Sequence, residues 1–172
     1  MKNKYHRRMG ALMNRSDIPY AQRLAMQQKK DIAVNREHSA KITLYCMSIS
    51  MNRLYGIGYK RLTRFSRTFK AINDEFYEDI EIGMAHAKRR MDQIGMPISG
   101  ELFTVDFANK TKREKEVAGH CLHAVQVALI CGTIAMNEEF GFGKEKLTKI
   151  HEMANELTAR YAKKGEDFLH AR

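Results

Sequence analysis

The chain has 172 residues, 44% of them hydrophobic and 29% charged, with 30 Lys and Arg against 20 Asp and Glu and a formal net charge of +10. That length buries enough surface for one core without a disulfide or metal, and only two prolines and eleven glycines argue against a collagen-like repeat, a low-complexity tail or a turn-rich β-sandwich. Three cysteines without framework spacing read as reduced thiols, and the most apolar runs, 42–51 and 124–136, fall short of the roughly 20 residues of a membrane span and read as buried helices.

Charge is segregated along the chain. Residues 1–30 carry eight basic residues, Arg7 and Arg8 among them, against Asp17 alone. No apolar stretch follows this start, so no signal peptide is expected. Ser16-Asp17-Ile18-Pro19 offers a capping side chain and a first-turn proline, which predicts a helix from there toward Val34, with continuation into the first repeat left open. A second basic block holds Arg53, Lys60, Arg61, Arg64, Arg67 and Lys70 with no acid between them. Asp74, Glu75, Glu78, Asp79 and Glu81 follow at once and read as a solvated helix face rather than a metal cluster. From Met136 onward, seven basic residues balance seven acidic ones. A basic lobe beside a neutral one suits a surface facing a polyanion.

The chain resembles itself. Laying 38–65 on 123–150 without a gap gives ten identities in twenty-eight positions, including Cys46/Cys131, Ile49/Ile134, Met51/Met136, Asn52/Asn137, Gly56/Gly141 and Gly58/Gly143. This predicts an internal duplication. Each unit reads as a buried helix, a tight glycine turn and an amphipathic helix. In the first, Ile42, Leu44, Tyr45, Ile49 and Leu54 precede Gly56-Ile57-Gly58, and Leu62, Phe65, Phe69, Ile72 and Phe76 resume at spacings of three and four. In the second, Val125, Val127, Leu129, Ile130 and Ile134 precede Gly141-Phe142-Gly143, and Leu147, Ile150, Met153, Leu157 and Tyr161 follow. The first glycine of each turn ends a helix in left-handed backbone, and the second is expected to let the next helix start close by. The expected architecture is all-α: a basic N-terminal arm and helix (1–34), helical repeat 1 (35–95), a linker (96–111) around Gly95-Met96-Pro97-Ile98-Ser99-Gly100, and helical repeat 2 (112–172), the repeats packing as a pseudo-symmetric pair. Residues 101–107 are expected to add an extended segment or small hairpin.

The turn words Leu54-Tyr55-Gly56-Ile57-Gly58 and Glu139-Phe140-Gly141-Phe142-Gly143 resemble the helix-hairpin-helix motif of DNA-repair and recombination proteins. The resemblance implies that backbone N–H groups after the second glycine hold a DNA phosphate without reading sequence. The wide separation of the two turns and the Tyr59 or Lys144 that follows the second glycine depart from the usual pattern of that family. The longer phrase Met-Asn-x-x-aromatic-Gly-hydrophobic-Gly-x-x-Arg/Lys-Leu is similar to small prophage proteins of Gram-positive bacteria, a group that includes nucleic-acid accessories and anti-CRISPR inhibitors of host nucleases. That resemblance places the chain in the cytoplasm of a bacterial host.

The residues themselves support the phosphate reading through the partial positive charge and open donors of a helix N-terminus. The sites expected to bind are Arg53, Gly56, Ile57, Gly58, Lys60, Arg61, Arg64, Arg67 and Lys70, with Gly141, Gly143, Lys144 and Lys146 in the second unit and Arg7 and Arg8 in the arm. The first turn is favoured, because Glu138, Glu139 and Glu145 surround the second. Glycine-linked helix packing alone is the competing explanation of both turns. His38 with Cys46 and His123 with Cys131 repeat at one separation, yet core packing of a small thiol and a hydrogen-bonded histidine explains them better than zinc. Asn52 and Asn137 are expected to satisfy turn carbonyls or amides. No catalytic motif occurs. The expectation is a binding protein, not an enzyme, without cofactor, metal or membrane contact, a monomer or homodimer. Its expected partner is nucleic acid, duplex DNA bound non-specifically. The alternative is inhibition of a host nucleoprotein such as an RNA-guided nuclease.

Overall fold

The computed structural model describes residues 19–98 and 111–170. Five helices and no strand occur among them: α1 (Tyr20–Tyr55), α2 (Tyr59–Glu78), α3 (Ile80–Ile94), α4 (Lys112–Phe140) and α5 (Lys144–His170). The chain is all-α. Arg7, Arg8, the Ser16-Asp17 start signal and the segment 101–107 lie outside the described residues.

Helices α1 and α4 form the axis of the molecule. Their contacts climb together: Asp31 meets Arg113 at 3.1 Å, Ile32 and Val117 line one cleft, Met47 lies against Gly132, and Tyr55 stacks on Phe142 with ring centroids 5.0 Å apart. The two helices therefore run parallel. Met47 and Gly132 are equivalent positions when one sequence unit is laid on the other. A Cβ at Gly132 would lie 2.7 Å from the Met47 Cε, so a large and a small residue at matching positions fill one space.

Each unit's second helix leaves its own first helix and packs on that of the other unit. α2 lies on α4 and α5 lies on α1, while the backbones of the two helices on either side of each glycine turn diverge beyond it. The units are interlocked, and neither covers its apolar face alone. Phe65, Ile72 and Phe76 of α2 and Leu147, Ile150 and Ala154 of α5 are buried, at spacings that keep one helix stripe facing inward.

Several expectations change. α1 runs past residue 34 into the first repeat as one continuous helix, the continuation that the sequence left open, because nothing between Tyr20 and Tyr55 breaks it. The acidic run is not one helix face. Asp79 takes an extended conformation between α2 and α3 and accepts hydrogen bonds from the Glu81 and Ile82 N–H groups, so it caps a new helix. Gly83 then permits close approach: a Cβ there would stand 2.6 Å from the Phe76 Cα. α3 ends at Gly95 in left-handed backbone (φ 76°), as the breaker cluster predicts. Thr111 and Glu114 form a reciprocal capping box that starts α4.

Tyr45, Ile49 and Tyr161, expected in the core, are exposed. By contrast, Val127–Met136 of α4 is buried without interruption. α4 is long and apolar enough by composition to cross a membrane, and half of its apolar window is buried in this fold. His38 and His123 are exposed whereas Cys46 and Cys131 are buried. An eight-residue step rotates about 80° around a helix, which turns histidine outward and thiol inward. The histidines are therefore not core groups. Burial pushes the Cys131 thiol up to about 12, which keeps it protonated.

Candidate nucleic-acid interface

The two glycine turns lie side by side at one end of the α1–α4 axis and are built alike. Gly56 and Gly141 share φ 62° and ψ 28°. Gly56 N–H donates to the Asn52 carbonyl at 2.9 Å, and Gly141 N–H to the Asn137 carbonyl at 2.8 Å. The side chain of Asn52 donates to the Ile57 carbonyl (3.1 Å) and that of Asn137 to the Phe142 carbonyl (2.9 Å), the turn-satisfying role expected of both. Between the glycines, Ile57 and Phe142 are buried in the core. Each turn is thus an elbow pinned by an asparagine outside and a hydrophobic plug inside.

The second glycine does not have the packing role expected of it. Gly58 has φ −83° and ψ 177°, extended backbone open to any residue, and Gly143 has no positive φ. A Cβ at either position would meet nothing within 4 Å. No side chain caps the Gly58 end of α2 and no acid stands in its first turn. Aspartate or serine there would fill the first-turn N–H groups with its own oxygen, whereas glycine leaves them open to an outside anion.

The elbows touch through a mixed seam. Tyr55 and Phe140 each pack against Phe142, with centroids 5.0 and 5.3 Å away. Lys146 Nζ lies 5.8 Å from the Tyr55 ring centre and 5.2 Å from that of Phe142, and Tyr55 Oη donates to the Lys146 carbonyl at 3.4 Å. Glu139 joins the elbows from the other side: Thr68 Oγ1 donates to its Oε1 at 2.6 Å, and Arg64 Nη2 approaches its Oε2 at 2.8 Å. That last contact is an ion pair by distance but lacks hydrogen-bond alignment, so Oε2 stays otherwise unpartnered. Ile57, Arg61, Arg64, Glu139, Phe140 and Phe142 enclose a cavity of about 280 Å³ between the elbows. The Glu139 carboxylate in its wall offsets the charge of Arg64.

The expected site residues now divide. Lys60, Arg61 and Arg67 on α2, Arg53 at the end of α1 and Lys144 at the start of α5 are exposed and have no ion pair among the described residues. Arg64 is held by Glu139, Lys70 by Asp74, and Lys146 by the aromatic seam. At α5 the first turn contains Glu145, paired with Lys149 at 2.9 Å, which weakens that terminus as an anion site. Glu139 was legible only as an acid near the second turn; its reach across to α2 was not. The sole hint was the repeat mismatch that puts Leu54 where the second unit has Glu139.

Among the described residues no group of three or more His, Cys, Asp or Glu side chains is placed to hold a metal ion. The other polar network joins α2, α3 and α4. His86 Nδ1 lies 2.9 Å from Glu75 Oε1, and Arg90 reaches Glu75 at 3.4 Å and Glu138 at 3.8 Å. The hydrogen bond from His86, followed by the charge of Arg90, holds the Glu75 carboxyl below its usual range. Comparison of the chain with protein-family models, curated proteins and solved structures finds no match.

Proposed function

We propose that this chain is a non-enzymatic protein of phage or prophage origin, acting in a bacterial cytoplasm, that binds nucleic-acid phosphates without reading base sequence. The binding element is the start of α2: Gly58, the open N–H groups of the first turn, and the exposed cations Lys60, Arg61 and Arg67. The two elbows are in this reading copies of one ancestral element, of which the first kept the phosphate function and the second became mainly structural.

The observation that carries the reading is Gly58. A glycine that neither backbone conformation nor packing requires occupies the one position where a side chain would block the helix donors. Helix dipole, donors and lysine or arginine charge then converge on one outward-facing end.

The test is fluorescence anisotropy with random-sequence duplex DNA at several salt concentrations. Binding should weaken with a log–log slope of about −0.9 per phosphate engaged and should change little with sequence. Gly58→Asp should reduce affinity about tenfold while leaving stability equal or higher, because the new carboxylate caps α2 and repels phosphate. Unchanged DNA binding in that variant would reject the assignment.

A further inference from the structure

We propose that the outward strip of α1 formed by Tyr45, Ile49 and Arg53 docks an amphipathic helix of a partner protein that carries an acidic residue opposite Arg53. This surface is separate from the phosphate-binding start of α2, and the inference stands without it.

The strip is defined by comparison with α4. Tyr45, Ile49 and Arg53 are spaced four residues apart and so share one side of α1. Ile130, Ile134 and Glu138 occupy the matching positions of α4 in the second sequence unit. Their surroundings are opposite. Ile130 and Ile134 are 3% and 1% exposed, whereas Tyr45 and Ile49 are 65% and 42% exposed. α2 on α4 and α5 on α1 are counterparts, so they do not account for the difference. α3 does: it lies on α4, and among the described residues no helix lies on the corresponding side of α1.

α3 also shows what such a strip accepts. Its buried residues are Gly83, Ala87 and Met91, again four apart: Gly83 seats the helix against the Phe76 backbone of α2, and the long Met91 side chain reaches α4. Met91 lines an apolar cavity of about 210 Å³ with Leu129 and Ile130 of α4. Beside it, Arg90 reaches Glu138 at 3.8 Å. On α1 the charge at that position is reversed, and Arg53 has no ion pair among the described residues. A helix like α3 with a carboxylate in place of Arg90 therefore complements α1 in shape and charge. The α3 of a second copy does not, because its Arg90 would face Arg53 and its Gly83, Ala87 and Met91 are already buried within its own fold. The position of Arg53 on this strip removes it from the group of cations assigned to phosphate.

The experiment uses the full chain and two labelled synthetic peptides with the sequence of residues 79–96, one natural and one carrying Arg90→Glu. In fluorescence anisotropy the Arg90→Glu peptide should bind with one-to-one saturation. Tyr45→Lys and Ile49→Lys should each weaken it at least tenfold while the circular dichroism spectrum and thermal midpoint stay those of the parent. Arg53→Glu should invert the preference, so that the natural peptide binds better than its Arg90→Glu form. Binding that ignores Tyr45→Lys and Ile49→Lys would place the peptide elsewhere and overturn the proposal. Absence of binding by either peptide would leave the strip to another part of this chain and overturn it equally. So would a wild-type dimer, seen by sedimentation, that Ile49→Lys dissociates, because the occupant would then be a second copy.

Discussion

Helices α1 and α4 contain similar phrases of residues and end in elbows of matching backbone, yet α4 is a core helix over Val127–Met136 and α1 keeps one side in solvent. The difference teaches that similar local sequence specifies helix, cap and turn, while burial depends on what a neighbouring segment contributes. That segment is α3, created where Asp79 interrupts the first unit's second helix; α5 runs on through the corresponding stretch. The elbows diverge in a parallel way. Their backbones match, but charge leaves the first open to an anion and knits the second into a seam through Glu139, Lys146 and Glu145.

Removing the support of α3 should break this comparison most strongly. Gly83→Ala places a Cβ within 2.6 Å of the Phe76 backbone, an obstacle that cannot rotate away. It should lower unfolding free energy by about 2–3 kcal/mol in chemical denaturation. A loss under about 0.5 kcal/mol, the scatter of an ordinary surface substitution, would mean that the close seat of α3 on Phe76 of α2 is not needed to hold α3 in place.

The next effect concerns function. Reversing Lys60 and Arg61 to Glu should reduce duplex affinity by roughly 30-fold or more and flatten its salt dependence by about two phosphates, while Lys144→Glu with Lys146→Glu should reduce it less than about threefold. Equal losses from the two pairs would make the elbows functionally equivalent. Gly58→Asp and Gly143→Asp offer a finer version of the same contrast, with only the first expected to impair binding.

Stability should respond alike at the two elbows. Gly56→Ala and Gly141→Ala each force a side chain into left-handed backbone and should cost about 1 kcal/mol, equal within error, by thermal denaturation. A clear inequality would show that the matching backbone angles conceal different tolerances.

The smallest effect is expected from pH. Thr133 Oγ1 donates to the Leu129 carbonyl, so the 2.8 Å contact with His151 Nε2 makes that nitrogen the donor. Burial lowers the His151 pKa from 6.5. The unfolded chain therefore takes up the proton first, and stability should decline as pH falls below 6.5. Glu75, also held below its usual 4.5, should add a second decline beneath that value, since its folded carboxylate resists protonation. A His151→Gln variant should lose the upper decline and retain the lower. Thermal midpoints measured from about pH 8 to about pH 3.5 would separate the two.

Much of this molecule was legible before any coordinates. The glycine elbows, the asparagine that pins each one, the amphipathic stripes of α2 and α5 and the stop at Gly95 follow from short-range rules, because each needs only a few consecutive residues to satisfy backbone donors or align one apolar side. The break at Asp79 was missed because an acidic cluster looks the same on a continuous helix face and at a helix start. The exposure of Tyr45 and Ile49 was missed because apolar density says that burial is favourable, not which segment is near enough to supply it. The site was legible in its cations but not in their use: Lys60 and Arg61 look no freer in sequence than Arg64 or Lys146, which partners in the other unit or the seam between the elbows have taken.

By itself the sequence determined that this chain is helical, that its two phrases bend at equivalent glycines, and that positive charge gathers near the first bend. These properties arise from dihedral preference, capping and composition, all local. Only the tertiary structure decided that each unit lends its second helix to the other, that α4 rather than α1 is sheathed, and which cations remain unpaired, because contacts between residues far apart in the chain depend on how helices cross in space.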